Sequence, residues 1–497
     1  MKFSILFGGK AGQGANILSD ILGKSLVKKG YYVFVSRDYQ SLIRGGHNFN
    51  VLTFSDEPVY SNDSEIDLII ALDKNTLELH KKELKKNGNA IHVEAKGNMY
   101  FAGRLFKILC MDFKLLEEEL RELKGRFDEN IREAKEGYEE EKKIACRIID
   151  RKENLNFMNG NQAVSEGAIK SGIDIYYFYP MTPATNVAGE LAEKQIENNH
   201  IVLELENEIA VINAAVGSAI TGAKTMIGTS GGGFDLMTEA LSLAGIAESP
   251  LVIYLASRPG PSTGLATYSG QGDLDMARHA GHGEFVRMVL SPGDAEECQE
   301  ITSQAFYFSQ KFGVSVIILS DKHLAECLYT IKEKPVITPS KKVTILKKYN
   351  SYESDKFGYM TESPEIVNKN VENRLKKQKE IEREAEKFSQ FKIFGKSNSE
   401  NVIVSWGSPK GAILDAIKDI DAKFIQFLYL DPFPMKAKKE IEGKNIILVE
   451  NDATGQLGKL IAEKTGIIIE DKNKILRYDG RPFFADELKK EIERRLK

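Results

Sequence analysis

Short apolar runs alternate with longer amphipathic stretches along most of this 497-residue chain, the pattern of strands and helices built around mostly parallel sheets. Lys2–Phe7 reads as a strand, the stretch to about Lys29 as a helix, and Tyr31–Ser36 as a second strand closing a βαβ unit at Asp38. A further strand is expected over Asp67–Asp73. From Leu115 to Lys143, leucines 115, 116, 120 and 123 recur among Glu, Lys and Arg, which predicts solvated amphipathic helices. The polar stretch Arg151–Asn161 marks a boundary. Beyond it the pattern predicts strands over Ile175–Tyr179, Lys224–Gly228 and Pro250–Ala256, with helices over Val187–Gln195, Glu206–Thr221 and Asp235–Ala247. A charged, glycine-poor segment carries an unbroken helical stretch, Asn368–Phe388. Apolar runs at Val402–Ser405 and Ile446–Val449 open a last α/β region. The expected organisation is therefore residues 1–155, 156–334, a helical connector 335–396, and 397–497, an α/β protein of three doubly wound domains.

Composition changes little in this picture. Apolar residues make up 42% and charged residues 28%, as in an ordinary globular protein. A net charge of −4 leaves no electrostatic footprint for nucleic acid. No apolar run approaches a membrane span, and the start passes directly into a strand, so the expected location is the cytoplasm. Cys110, Cys146, Cys298 and Cys327 are too scattered for a C-x-x-C nest, so free thiols and no metal site are expected.

Candidate chemistry sits where strands end. In Tyr179-Pro180-Met181-Thr182-Pro183, proline stops the strand and leaves Thr182 just past its end. This loop either rigidifies a strand-to-helix connection or presents a binding residue at the carboxyl edge of a sheet. Glu204, Glu206 and Glu208 alternate before an alanine-rich helix, as surface charge or as a carboxylate set on one side of an extended segment. Arg258 opens a loop, Arg-Pro-Gly-Pro-Ser-Thr-Gly, that presents one guanidinium with Ser262 and Thr263 hydroxyls; arginine suits a planar carboxylate. The Gly8–Gly14 loop before the first helix is either a tight turn or an anion cradle, and its spacing is not G-x-G-x-x-G, which argues against a nicotinamide or flavin.

Taken together, these strings resemble the 2-oxoacid:ferredoxin oxidoreductases. Tyr-Pro-Met-Thr-Pro resembles the Tyr-Pro-Ile-Thr-Pro signature of their α subunit, with Met181 in place of isoleucine. Glu204–Ala210, the Ser-Gly-x-Gly-Phe turn at Ser230–Phe234, Arg258–Gly264, Val449–Leu457 and Tyr478–Phe483 match it too. Gly-Gly-Lys-Ala-Gly-Gln-Gly and Arg44-Gly-Gly-His47-Asn resemble the γ domain, here fused ahead of the α domains.

The resemblance implies thiamine-enzyme-like domains and a subunit that, with a β subunit, performs coenzyme A-dependent oxidative decarboxylation of a 2-oxoacid, 2-oxoglutarate foremost, reducing ferredoxin. It implies thiamine diphosphate as cofactor, with Glu208 on its pyrimidine ring (Glu206 the fallback) and Tyr179, Pro180, Ser230 and Gly231 lining it. Arg258, Thr263 and Thr182 would hold the substrate, and Gly12, Gly14, Arg44 and His47 coenzyme A. The family's diphosphate-anchoring Gly-Asp-Gly element is missing, Gly272-Asp273-Leu274 being the nearest string. Mg²⁺ and an iron–sulfur cluster are therefore expected on the β subunit. The alternatives are a non-catalytic scaffold subunit and a branched-chain or indolepyruvate-type enzyme.

Overall fold

Where a buried strand needs both faces covered, its sequence is continuously apolar, and the computed structural model places its central strands accordingly. It describes residues 1–40, 46–123, 125–342 and 350–496. The chain forms two units: one of residues 1–158, 326–333 and 484–490, the other of residues 159–325, 334–483 and 491–497.

The first unit carries a mixed sheet in the order Leu84–Ile91, Ile66–Ala71, Lys2–Lys10, His47–Ser55, Tyr32–Tyr39, Leu328–Ile331, Asn156–Asn159. The expected βαβ unit is present as a strand, the helix Ala15–Lys28 and a strand, but His47–Ser55 lies between its two strands and pairs antiparallel with both. Leu328–Ile331 adds antiparallel to Tyr32–Tyr39 although some 290 residues separate them. Helices Asn98–Ile108, Phe113–Glu122 and Phe127–Glu140 close one face, where Leu116 and Leu120 are fully buried.

The second unit holds two sheets. Its larger one runs Tyr429–Asp431, Arg287–Leu290, Ser315–Asp321, Leu251–Ser257, Thr225–Thr229, Ile175–Phe178, Ile201–Glu204. All but the first of these strands are parallel. The helix expected over Asp235–Ala247 is two helices, Gly231–Leu236 and Thr238–Ala247, meeting at Met237. The smaller sheet is Phe391–Gly395, Lys423–Phe427, Asn401–Trp406, Asn445–Glu450, Lys474–Leu476, and one apolar core runs through both, from Ile253 and Ile317 to Trp406 and Leu448. The expected connector helix is Pro364–Ala385.

A buried ionic network joins the helix Ala295–Phe312 to the smaller sheet. Glu297 accepts from Lys410 at 2.6 Å, from Gln426 at 2.6 Å and from the Gly293 amide at 2.8 Å, and pairs with Lys392 at 3.0 Å; Lys410 also binds Asp294. Burial by itself would raise the Glu297 carboxyl, yet the lysine charges hold it at about 2. Among the described residues, no helix is long and apolar enough to cross a membrane.

Candidate active site

The larger sheet of the second unit ends in four loops at one edge, and the candidates expected to hold substrate and thiamine lie on them or at the starts of the helices that follow. Ile175–Phe178 stops before Pro180, and Tyr179 and Pro180 are exposed. Thr182 follows, half-buried, ahead of the helix Thr185–Glu193. The loop is held from below: Asn161 donates to the Pro183 carbonyl at 2.9 Å and accepts from the Tyr254 hydroxyl at 2.9 Å, and both residues are fully buried. Asn161 falls in the polar stretch that reads as a boundary; polarity there reflects a satisfied buried amide rather than exposure.

Arg258 leaves the end of Leu251–Ser257 and donates from Nη1 to the Thr182 carbonyl at 3.0 Å, which ties two of the loops together. Burial pulls its guanidinium below the usual arginine range, with the charge of Asp273 opposing. Burial likewise pushes the Asp273 carboxyl up, against the opposing influence of the Ser257 hydroxyl and, after it, the Arg258 charge. Asp273 Oδ2 is buried without a hydrogen-bond partner among the described residues and lies 2.7 Å from where a Cβ on Gly231 would stand. The sequence marked Asp273 only as part of an incomplete metal element. The rest of the Arg258 loop turns back on itself, with Leu265 donating to the Pro259 carbonyl at 3.0 Å, and Thr263 is exposed on it.

The C-terminal strings brace this loop. Gln271 exchanges 2.8 Å hydrogen bonds with the Asn451 backbone and donates to the Trp406 carbonyl at 2.9 Å. Ser269 donates to the Gly480 carbonyl at 3.0 Å, and Arg481 covers the Tyr268 ring at 4.0 Å.

Glu208 begins the helix Glu208–Ala219, with Asn207 as its N-cap accepting from the Ala210 amide at 2.9 Å. It is 5% exposed, whereas Glu204 and Glu206 face solvent. The helix start turns its side chain inward, so the alternation seen in the sequence ends one residue early. Glu208 Oε1 lies 3.0 Å from where a Cβ on Gly233 would stand, and Thr229 Oγ1 only 2.2 Å, so only glycine admits that approach. Ser230, fully buried and with a hydroxyl that has no partner among the described residues, stands at the N-cap of the helix that contains Gly231 and Gly233. Thr182 is hydrogen-bonded to Arg258, Asp273 packs at Gly231 and Glu208 packs at Gly233, all along the carboxyl edge, where open α/β sheets place ligands.

Gly12, Gly14 and His47 lie in the first unit; Gly14 has φ +91° at the start of the helix Ala15–Lys28. Arg44 lies outside the described residues. Among the described residues, no group of three or more His, Cys, Asp or Glu could hold a metal ion.

Residues 166–392 match the pyruvate flavodoxin/ferredoxin oxidoreductase, thiamine diP-bdg family, and residues 4–96 the pyruvate ferredoxin/flavodoxin oxidoreductase family. The 2-oxoglutarate synthase subunit KorA of Methanocaldococcus jannaschii is 30% identical over 331 residues, covering 60% of this chain and 88% of that protein. The chain belongs to the 2-oxoacid:ferredoxin oxidoreductase alpha-subunit family. Over nearly its whole length it is also 28% identical to the 2-oxoacid:ferredoxin oxidoreductase subunit alpha of Saccharolobus solfataricus, covering 99% of this chain and 98% of that one. The oxidoreductase fold agrees. A solved 2-oxoglutarate:ferredoxin oxidoreductase from Magnetococcus marinus, with 2-oxoglutarate, coenzyme A and succinyl-CoA bound, matches with a TM-score of 0.87 at 24% identity, covering all of both chains.

Proposed function

We propose that this subunit, with a β subunit, catalyses the coenzyme A-dependent oxidative decarboxylation of a 2-oxoacid to acyl-CoA and CO₂, passing electrons to ferredoxin. The observation that carries the reading is that Thr182, Arg258 and the buried Glu208 all stand at the carboxyl edge of one parallel sheet. The names of the relatives and the ligands bound in the Magnetococcus structure favour 2-oxoglutarate as the substrate.

The residues fit a thiamine cofactor. Glu208 is a buried carboxylate to which, among the described residues, no side chain or amide donates a hydrogen bond, so it is open to an aminopyrimidine nitrogen. Gly231 and Gly233, lacking Cβ atoms, let the Asp273 and Glu208 carboxyls come close to the backbone there. Thiamine diphosphate would supply the carbon nucleophile and the electron sink. Glu208 holds and exchanges a proton at its carboxylate, in a site dry enough to strengthen that bond. Arg258 offers a guanidinium fork to the substrate carboxylate, and its bond to the Thr182 carbonyl fixes the direction of the fork. Thr182 and Thr263 offer hydroxyls to the same substrate. Because Gly272-Asp273-Leu274 lacks the second glycine of the family's diphosphate-anchoring element and the four cysteines are scattered, we assign Mg²⁺, the diphosphate anchor and an iron–sulfur cluster to the β subunit.

Reconstitution with the β subunit and viologen reduction across a 2-oxoacid panel tests the reading. We expect coenzyme A-dependent reduction, fastest with 2-oxoglutarate. No reduction with any 2-oxoacid overturns it.

A further inference from the structure

A second carboxyl edge, in the first unit, carries a hydrogen-bonded row of side chains that the site above does not use. The strands Lys2–Lys10 and Ile66–Ala71 are parallel neighbours. The helices that follow them leave on opposite faces. Ala15, Leu18 and Leu22 pack with Ile5, Phe7, Leu68 and Ile70, whereas Leu77 packs with Leu6, Ile69 and Ala71. The ends of two such strands open the crevice where doubly wound sheets bind ligands.

His47 stands at this edge, opposite Lys10 in the register. Its Nε2 is 2.8 Å from His80 Nε2, and His80 Nδ1 is 2.8 Å from Glu83 Oε2. Phe49 holds both rings, its centroid 5.7 Å from that of His47 and 4.5 Å from that of His80. His80 is 5% exposed. His47 Nδ1 and Asp73 Oδ2 are buried with no hydrogen-bond partner among the described residues.

The tautomers follow from the chain of acceptors. An ionised Glu83 can only accept, so His80 Nδ1 carries a proton. A neutral His80 must then accept at Nε2, so His47 donates from its own Nε2. That leaves His47 Nδ1 a bare, buried lone pair, a costly group unless a donor meets it. We infer that Glu83, His80 and His47 form a proton relay whose outer nitrogen, His47 Nδ1, takes the proton of a ligand thiol. The step balances. The S–H proton bonds to His47 Nδ1, the His47 Nε2 proton moves to His80 Nε2, and the positive charge comes to rest on His80 beside Glu83, leaving a thiolate. Choosing a thiol rests on the coenzyme A reading above; a thiol is acidic enough for an imidazole to deprotonate. Burial and His80 depress the His47 pKa, while Asp73, Asp38 and Glu83 oppose them. His47 thus stays an unprotonated acceptor at neutral pH, and His80 and Glu83 act as positioning residues.

Histidine-¹⁵N NMR of the full chain, its seven histidines assigned by substitution, reads the tautomers directly. The expected result is a His47 protonated at Nε2 and bare at Nδ1, whose titration moves lower in Glu83→Gln, because the carboxylate favours the charged ring. A His47 protonated at Nδ1 overturns the relay. In the reconstituted complex, Glu83→Gln and His80→Gln should lower kcat with coenzyme A about 10- to 100-fold, with its KM within about threefold and the lost rate regained as pH rises. Coenzyme A-dependent turnover that neither variant slows overturns the relay alone. Wild-type turnover indifferent to coenzyme A overturns both the relay and the reading beneath it.

Discussion

Two groups of buried charge in the second unit have opposite characters. In the Glu297–Lys410 network each charge has a partner: Glu297 accepts from a lysine, an amide side chain and a backbone amide, and Lys410 binds two carboxylates. Along the carboxyl edge the charges are left short. Asp273 keeps an orphan oxygen, Arg258 donates to one neutral carbonyl, and Glu208 receives no hydrogen bond among the described residues. A satisfied network stabilises the joint between two sheets, and taking one member away leaves the others stranded. An unsatisfied set costs stability and is retained where a ligand completes it. The difference separates structure from function without any appeal to sequence similarity.

Substitutions should divide along the same line. The largest effect is expected at Glu208. Glu208→Gln should lower turnover of the reconstituted complex by about 100- to 10,000-fold, the range for a lost proton-transfer group, with an unchanged thermal midpoint. Normal turnover would shift the role to Glu206. Next, Lys410→Ala should destabilise the chain by about 3–5 kcal/mol, since Glu297 is left charged and buried; urea unfolding measures it. A loss below about 1 kcal/mol would mean that the network behaves like surface charge.

Arg258→Ala should lower kcat/KM for the 2-oxoacid roughly 10- to 1000-fold, as a broken desolvated charge pair costs about 2–5 kcal/mol. Its stability cost should stay near that of one hydrogen bond, about 1 kcal/mol. Arg258→Lys should recover only part of the rate, because a point charge cannot reproduce the fork. A change under about threefold, far below that range, would place the substrate carboxylate elsewhere. The network also predicts a pH dependence. The Glu297 carboxyl is held below its ordinary value of 4.5, at about 2. Its stabilising contribution is therefore complete above pH 4.5 and is lost as pH falls toward 2. Acid unfolding of Glu297→Gln should lack that component. The smallest effect is expected for Lys392→Ala at the network's rim, where the side chain is 30% exposed: at most about 1 kcal/mol.

Much of this was legible in the chain itself. Apolar runs such as Leu251–Ser257 and Ser315–Asp321 announce central parallel strands, because burial on both faces demands them. Pro180 and Pro183 announce the loop that carries Thr182, because proline cannot extend a ladder. Arg258, Thr182 and Glu208 were each visible at or near the ends of predicted elements, and the structure places them at the carboxyl edge of one sheet. Local patterns were silent on what neighbours them. His47–Ser55 entering between two strands of a βαβ unit, and Leu328–Ile331 returning to that sheet, are pairings between distant segments that no local periodicity encodes. Asn161 and Tyr254, Asp273 beside Arg258, and His80 between His47 and Glu83 belong to the same class. Sequence determined which residues could carry charge, a proton or a turn, since propensity and side-chain chemistry are local properties. Tertiary structure alone decided which of them were left buried without a partner, because desolvation and hydrogen-bond satisfaction depend on every segment that packs around a group.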